Sequence, residues 1–112
     1  MPWEVVALEG FELWYLELDE TSRARVFDRV TLLEDVGPNL GRPAVDTIKA
    51  SRHQNMKELR TGSIRVLFIF DPKSNAVLLL GGDKRGDWTG WYEENIQRAD
   101  DLYDEYLNET KE

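Results

Sequence analysis

The chain has 112 residues, 41% of them hydrophobic and 11% aromatic, no cysteine, and a formal net charge of −8. That length suits one domain, 1–112, with a buried core, and the absence of cysteine excludes a disulfide framework and a thiolate metal site. No apolar run approaches the roughly 20 residues that cross a bilayer, and Met1-Pro2-Trp3-Glu4 lacks the basic and apolar regions of a signal peptide, so a cytoplasmic protein is expected.

In chain order, residues 3–8 read as a short strand and 10–18 as a short helix. Residues 20–36 form a second helix: Thr21 or Ser22 can cap it, Val26, Phe27, Val30, Leu33 and Val36 recur at helical spacing, and Gly37-Pro38 stops it. Residues 37–55 are loop-like. Met56–Arg60, Ile64–Phe70 and Ala76–Leu80 then read as strands, separated by turn signals at 61–63 and 71–75 and closed by Gly81-Gly82. A last helix starts near Asp87 and carries Trp88, Trp91, Tyr92, Ile96, Ala99, Leu102, Tyr103, Tyr106 and Leu107 on one stripe, with an acidic face opposite that is most simply solvated. The order is β-α-α-β-β-β-α, an α+β fold with an antiparallel sheet packed on helices.

A net negative chain is poorly suited to nucleic acid, because phosphate contacts need Lys and Arg. The charge is uneven, however. From Arg42 to Arg85 there are nine Lys/Arg and four Asp/Glu, a balance of +5; the remainder carries five and eighteen, a balance of −13. This basic middle is either a binding strip or a sheet flanked by acidic helices.

Arg65 is the most informative residue, a single charge in the apolar strand 64–70. Alternation puts it on the side of Leu67 and Ile69, opposite Val66 and Phe68. Either its stem packs while its head reaches solvent or pairs with Glu58 or Asp71, or it binds an anion. Arg60 lies across the first turn, and Lys84 and Arg85 at the exit of the last strand. Convergence of the four would suit a phosphate. Trp91 is expected to pack on the sheet, while the Tyr92 phenol near Lys84 can serve in proton transfer. His53 is the sole histidine, so a two-histidine acid–base pair is excluded. Gly81-Gly82-Asp83-Lys84-Arg85-Gly86 lacks the spacing of a phosphate-binding loop.

Taken together, Gly41-Arg42-Pro43, Ser51-Arg52-His53, Met56–Arg60, Arg65–Asp71, Leu80–Lys84, Trp91-Tyr92-Glu93 and Ala99–Tyr103 make the chain resemble, over nearly its whole length, the RelE/HigB superfamily of ribosome-dependent mRNA endonuclease toxins. Within that superfamily it resembles the phage-derived HigB-like branch. The resemblance implies a microbial RNase fold and cleavage of mRNA in the ribosomal A site without metal or cofactor, by attack of a ribose 2′-hydroxyl on the adjacent phosphate. It implies Arg65, Arg60, Lys84 and Tyr92 as catalytic residues, and Lys57, Arg85, His53 and Trp88 as RNA contacts. It also implies a cognate antitoxin of helix-turn-helix type, with ribosome and mRNA as further partners. Glu58 departs from the pattern, standing where a lysine is common. The alternatives are a toxin-fold module that binds an antitoxin without cutting RNA, and a ParE-like gyrase inhibitor. Removal of Arg65 is expected to abolish cleavage with modest effect on folding.

Overall fold

The computed structural model of the protein describes residues 2–111, and of Trp88 only the backbone. Among the described residues the elements are β1 (Val5–Ala7), α1 (Glu9–Glu17), α2 (Glu20–Val36), a 3-10 turn (Gly37–Asn39), β2 (Val45–Thr47), β3 (Lys57–Thr61), β4 (Ile64–Phe70), β5 (Ala76–Asp83) and α3 (Trp88–Thr110). The strands form one sheet in the order β1-β5-β4-β3-β2. The α+β class and the β3-β4-β5 meander agree with the sequence expectation. Two features differ from it. The stretch expected to be loop contains β2, which pairs antiparallel with β3, and β1 runs parallel to β5, so the sheet is mixed.

Period-two alternation divides the sheet into two cores. Val66, Phe68 and Leu78 face α1 and α2, joining Phe11, Val26 and Leu33. Leu67, Ile69, Val77 and Leu79 face α3, joining Ile96, Ala99 and Tyr103. β4 is therefore covered on both sides, and a fully buried side chain such as Phe68 contributes roughly 1.5–3 kcal/mol. The cap of α2 is Asp19, whose carboxylate accepts from the Ser22 backbone N–H, rather than Thr21 or Ser22. Phe27 is 61% exposed. Val26, Val30 and Leu33 already define the stripe that meets the sheet, and Phe27 is rotated about 100° from Val26 on the helix surface.

β5 continues through Gly81 and Gly82 to Asp83, past the end expected at Leu80. The glycines keep the strand going because large rings lie on both of its faces. A Cβ on Gly81 would stand 2.3 Å from Trp14, and one on Gly82 would stand 2.6 Å from Trp91 Nε1. The expected result for Gly82→Ala is a loss of about 1–3 kcal/mol, the usual cost of overpacking a filled site, read from the urea midpoint. No change in that midpoint would mean that Trp91 is free to move off the strand.

The far end of α3 is tied to the β4–β5 turn. Asp71 accepts from the backbone N–H groups of Lys73 and Asn75, from Asn75 Nδ2, and from the Tyr106 hydroxyl at 2.8 Å. Burial pushes the Asp71 carboxyl up, but these hydrogen bonds outweigh it and hold the group below the usual carboxylate range. Burial and the same carboxylate push the Tyr106 phenol up to about 12. A depressed carboxyl stabilises the fold above its unfolded pKa, and that contribution disappears as pH falls through the folded value. Tyr106→Phe should therefore cost about 1.5–3 kcal/mol near neutral pH, and much less once Asp71 is protonated. Urea unfolding followed from about pH 7 down through the acid titration of Asp71 in the folded protein separates the two; an equal cost throughout would show that the phenol packs without bonding the charge.

Candidate active site

The β3–β4 hairpin sets the register that builds the site. Counting back from the turn at 62–63, Arg60 stands opposite Arg65, and Glu58 stands opposite Leu67. Glu58, Arg60 and Arg65 therefore share the face under α3. On β5, Gly82 is the partner of Arg65, after a bulge between Leu67 and Phe68 that shifts the register by one residue. With no side chain at Gly82, Trp91 can lie close to the strand, and its neighbour Tyr92 comes down on Arg65.

Arg65 is 3% exposed and Glu58 is 7% exposed. Arg65 Nε lies 3.1 Å from Glu58 Oε1 and donates to the Tyr92 hydroxyl at 3.3 Å. That hydroxyl in turn donates to Glu58 Oε1 at 2.6 Å. Arg65 Nη1 donates to the carbonyls of Gly62 and Ile64 at 2.7 and 2.9 Å. Nη2 has no hydrogen-bond partner among the described residues. Since no fully buried side-chain nitrogen among them lacks a partner, Nη2 stays within reach of solvent. The Lys84 ammonium is buried, 5.7 Å from the centre of the Tyr92 ring. Burial lowers the Lys84 pKa, and the Arg65 charge lowers it further. Burial and the hydrogen bond to Glu58 raise that of Tyr92, so the phenol keeps its proton at neutral pH.

Of the residues proposed from the sequence, Arg65, Tyr92 and Lys84 come together. Arg60 borders them on the same face, half-buried, with Nη1 3.9 Å from Asp46. Of the expected RNA contacts, Lys57, Arg85 and His53 do not join the cluster. Lys57 alternates onto the opposite face, beside Leu59. Arg85 turns outward, 80% exposed, and pairs with Asp83 at 2.8 Å. His53 meets Asp104 at 2.8 Å and stands edge-on to Tyr103. Trp88 opens α3, but its side chain lies outside the described residues. Glu58, considered from the sequence as a partner of Arg65 and as a departure from the family pattern, is the acceptor at the centre of the cluster.

The burial of Arg65 also corrects the expectation that its removal leaves folding nearly intact, since a buried ion pair broken on one side leaves an uncompensated charge. The acidic face of α3 is likewise more than a solvated surface. Asp100, 3% exposed, accepts from Ser51 Oγ and the Arg52 backbone N–H, and Arg52 also bonds Asp101 and Asp104. These contacts pin the 50–53 loop along α3, beside an open groove of about 660 Å³ that has Tyr92 in its wall. Among the described residues no group of three or more His, Asp or Glu could hold a metal ion.

This mixed sheet with helices on both faces is the fold of the RelE toxins. An Escherichia coli RelE mutant in the free state superposes with a TM-score of 0.64 at 12% identity, covering 88% of this chain and 98% of that one. RelE in the RelE–RelB complex of Pyrococcus horikoshii gives 0.62 at 18% identity, over 77% and 99%. At the level of sequence, the family model Phage derived protein Gp49-like (DUF891) matches residues 14–104. Two Mycobacterium tuberculosis proteins bearing the toxin names HigB2 and HigB3 are 46% and 48% identical to the chain over 105 residues. The alignment takes in 89% of this chain but 52% of HigB2, and 92% of both this chain and HigB3. The chain thus spans about half the length of one curated relative and nearly all of the other. The chain belongs to the Gp49-like phage-derived family, is related in sequence to the proteins named HigB2 and HigB3, and has the RelE fold.

Proposed function

We propose that the whole chain acts as one toxin domain, the toxin component of a toxin–antitoxin pair, and that it inhibits translation in the cytoplasm by cutting mRNA on the ribosome. The observation that carries this reading is the convergence of Arg65, Lys84, Glu58 and Tyr92 at one end of the sheet: two cations, one carboxylate and one protonated phenol. That set suits attack of a ribose 2′-hydroxyl on the neighbouring phosphorus. The Glu58 carboxylate takes the 2′-hydroxyl proton. Arg65, through Nη2, and Lys84 neutralise the charge that builds on the non-bridging oxygens. The P–O5′ bond breaks, and Tyr92 or the Lys84 ammonium supplies the proton to the leaving oxygen. The products are a 2′,3′-cyclic phosphate and a 5′-hydroxyl, with charge stabilisation from side chains and no metal required.

Arg65 and Lys84 are largely covered in this closed state, Nη2 of Arg65 being the atom left within reach of solvent. Such closure also suits the second reading, a toxin-fold module that binds an antitoxin without cutting RNA. RelE of P. horikoshii is solved in complex with RelB, which supports a cognate antitoxin as partner here; its helix-turn-helix character rests on the family resemblance.

Inducing the chain without an antitoxin and mapping mRNA ends tests the proposal. Growth arrest with new 5′-hydroxyl ends inside coding regions is expected. Arrest with intact mRNA would favour a gyrase-directed toxin, and normal growth would favour the non-catalytic module. No helix among the described residues is long and apolar enough to cross a membrane.

A further inference from the structure

The register that puts Glu58, Arg60 and Arg65 on one face carries on into β2, beyond the cluster around Tyr92. Asp46 on β2 stands opposite Glu58 on β3, so it shares that face. One of its oxygens, Oδ2, is used twice. It accepts from Arg42 Nη2 at 3.0 Å and lies 3.9 Å from Arg60 Nη1. Two guanidiniums thus meet at a single carboxylate oxygen, and one positive charge is left over. Both are accessible, the Arg42 side chain being 76% exposed and that of Arg60 34%. Their backbones are held. Arg60 N donates to Ala44 O at 2.8 Å, and Arg60 O accepts from Arg29 Nε at 3.0 Å. The turn that carries Arg42 is closed by a bond from Val45 N to Gly41 O at 3.0 Å.

We infer that Arg42 and Arg60 form a subsite for an RNA phosphodiester next to the scissile one, and that Asp46 Oδ2 fills the place of a phosphate oxygen until RNA arrives. The inference rests on the nuclease reading and extends that site along the strand. A planar guanidinium fits a phosphate as it fits a carboxylate, so an oxygen that already bridges two of them marks where a phosphate oxygen sits. Arg60 is the direct partner of Arg65, and opposed residues on neighbouring strands stand roughly 5 Å apart. An RNA strand with its scissile phosphate at Arg65 Nη2 therefore brings a neighbouring phosphate toward Arg60. Lys84, Arg65, Arg60 and Arg42 come, in that order, from the end of β5, from β4, from β3 and from the turn before β2, which follow one another across the sheet. Message and ribosomal RNA offer the same phosphodiester; the pairing of Arg60 with Arg65 favours the message.

The test is cleavage of ribosome-bound mRNA by the intact chain, Arg42→Ala and Asp46→Asn, with kcat and KM measured over a range of salt, and binding of the same proteins to ribosomes without mRNA. Arg42→Ala should raise KM about fivefold, the upper range for an exposed ion pair, with kcat unchanged. Its KM should also depend less on salt, the log–log slope falling by about 0.7, as for one lost contact to a single strand. Asp46→Asn should lower KM about threefold; a carboxylate that served only to hold the arginines in place would raise KM when removed. Unchanged KM and slope for Arg42→Ala, beside normal cleavage by the intact chain, would overturn the subsite while leaving the nuclease standing. A raised KM for Asp46→Asn would overturn the placeholder role of its carboxylate. Equal weakening of Arg42→Ala on ribosomes without mRNA would move the contact to ribosomal RNA and overturn its assignment to the message. An intact chain that cuts no RNA would overturn the nuclease reading and the subsite with it.

Discussion

Arg65→Ala is expected to lower mRNA cleavage by about 10²–10³-fold, the usual cost of removing one preorganised donor from a developing oxyanion. The expectation follows from how the guanidinium is held. Two of its nitrogens are committed to Glu58, Tyr92 and two backbone carbonyls, which leaves Nη2 aimed by a rigid frame. Because alanine at this position also strips Glu58 of its counter-charge, the decisive variant is Arg65→Lys. Lysine keeps the positive charge but is a point donor that cannot reproduce the fork. A folded Arg65→Lys protein, verified by circular dichroism, should cut poorly in a ribosome-dependent assay. Wild-type cleavage by that protein would remove Arg65 from the chemistry.

Glu58→Ala should cost about 3–5 kcal/mol of stability, because it leaves the Arg65 charge buried without its partner. Replacing both, as in Glu58→Leu with Arg65→Met, should restore most of that loss, since apolar residues of similar volume commonly match or exceed a buried ion pair. The double variant should nevertheless cut no RNA. Urea denaturation gives the stabilities, and the mRNA assay gives the activity. A Glu58→Ala protein within about 1 kcal/mol of wild type would show that Arg65 escapes to water and that the pair is not a fixed part of the fold.

Much of this architecture could be read from residue order. The β3–β4 and β4–β5 hairpins stood out because turn residues separate apolar runs, and α2 and α3 because their stripes are long. Strand β2 escaped because three residues flanked by Gly41, Pro43 and a polar loop carry no period, and its pairing comes from β3 rather than from local preference. Gly81 and Gly82 read as terminators, whereas their bareness serves the indoles of Trp14 and Trp91, which arrive from distant helices.

The candidate site was half legible. Arg65 announced itself as a charge in an apolar strand, and Glu58 was one of two partners considered for it. The sequence also contained what was needed to decide between them: counting outward from the turn puts Glu58 diagonal to Arg65 on the same face. The same count sends Lys57 to the far side. What no count supplies is the arrival of Tyr92 over the pair, or the capture of Arg52 and His53 by the acidic face of α3, since both depend on how that helix lies across the sheet.

The parallel pairing of β1 with β5 has a consequence for self-association. Val5–Ala7 cover the outer edge of β5 at Ala76–Leu78, joined further by hydrogen bonds from Ala76 N to Glu4 O and from Leu8 N to Leu78 O. The covered stretch is fully apolar, and a bare apolar edge is a template for strands of other molecules. By pairing with that stretch, the three residues of β1 leave it with no open backbone edge for another chain to join.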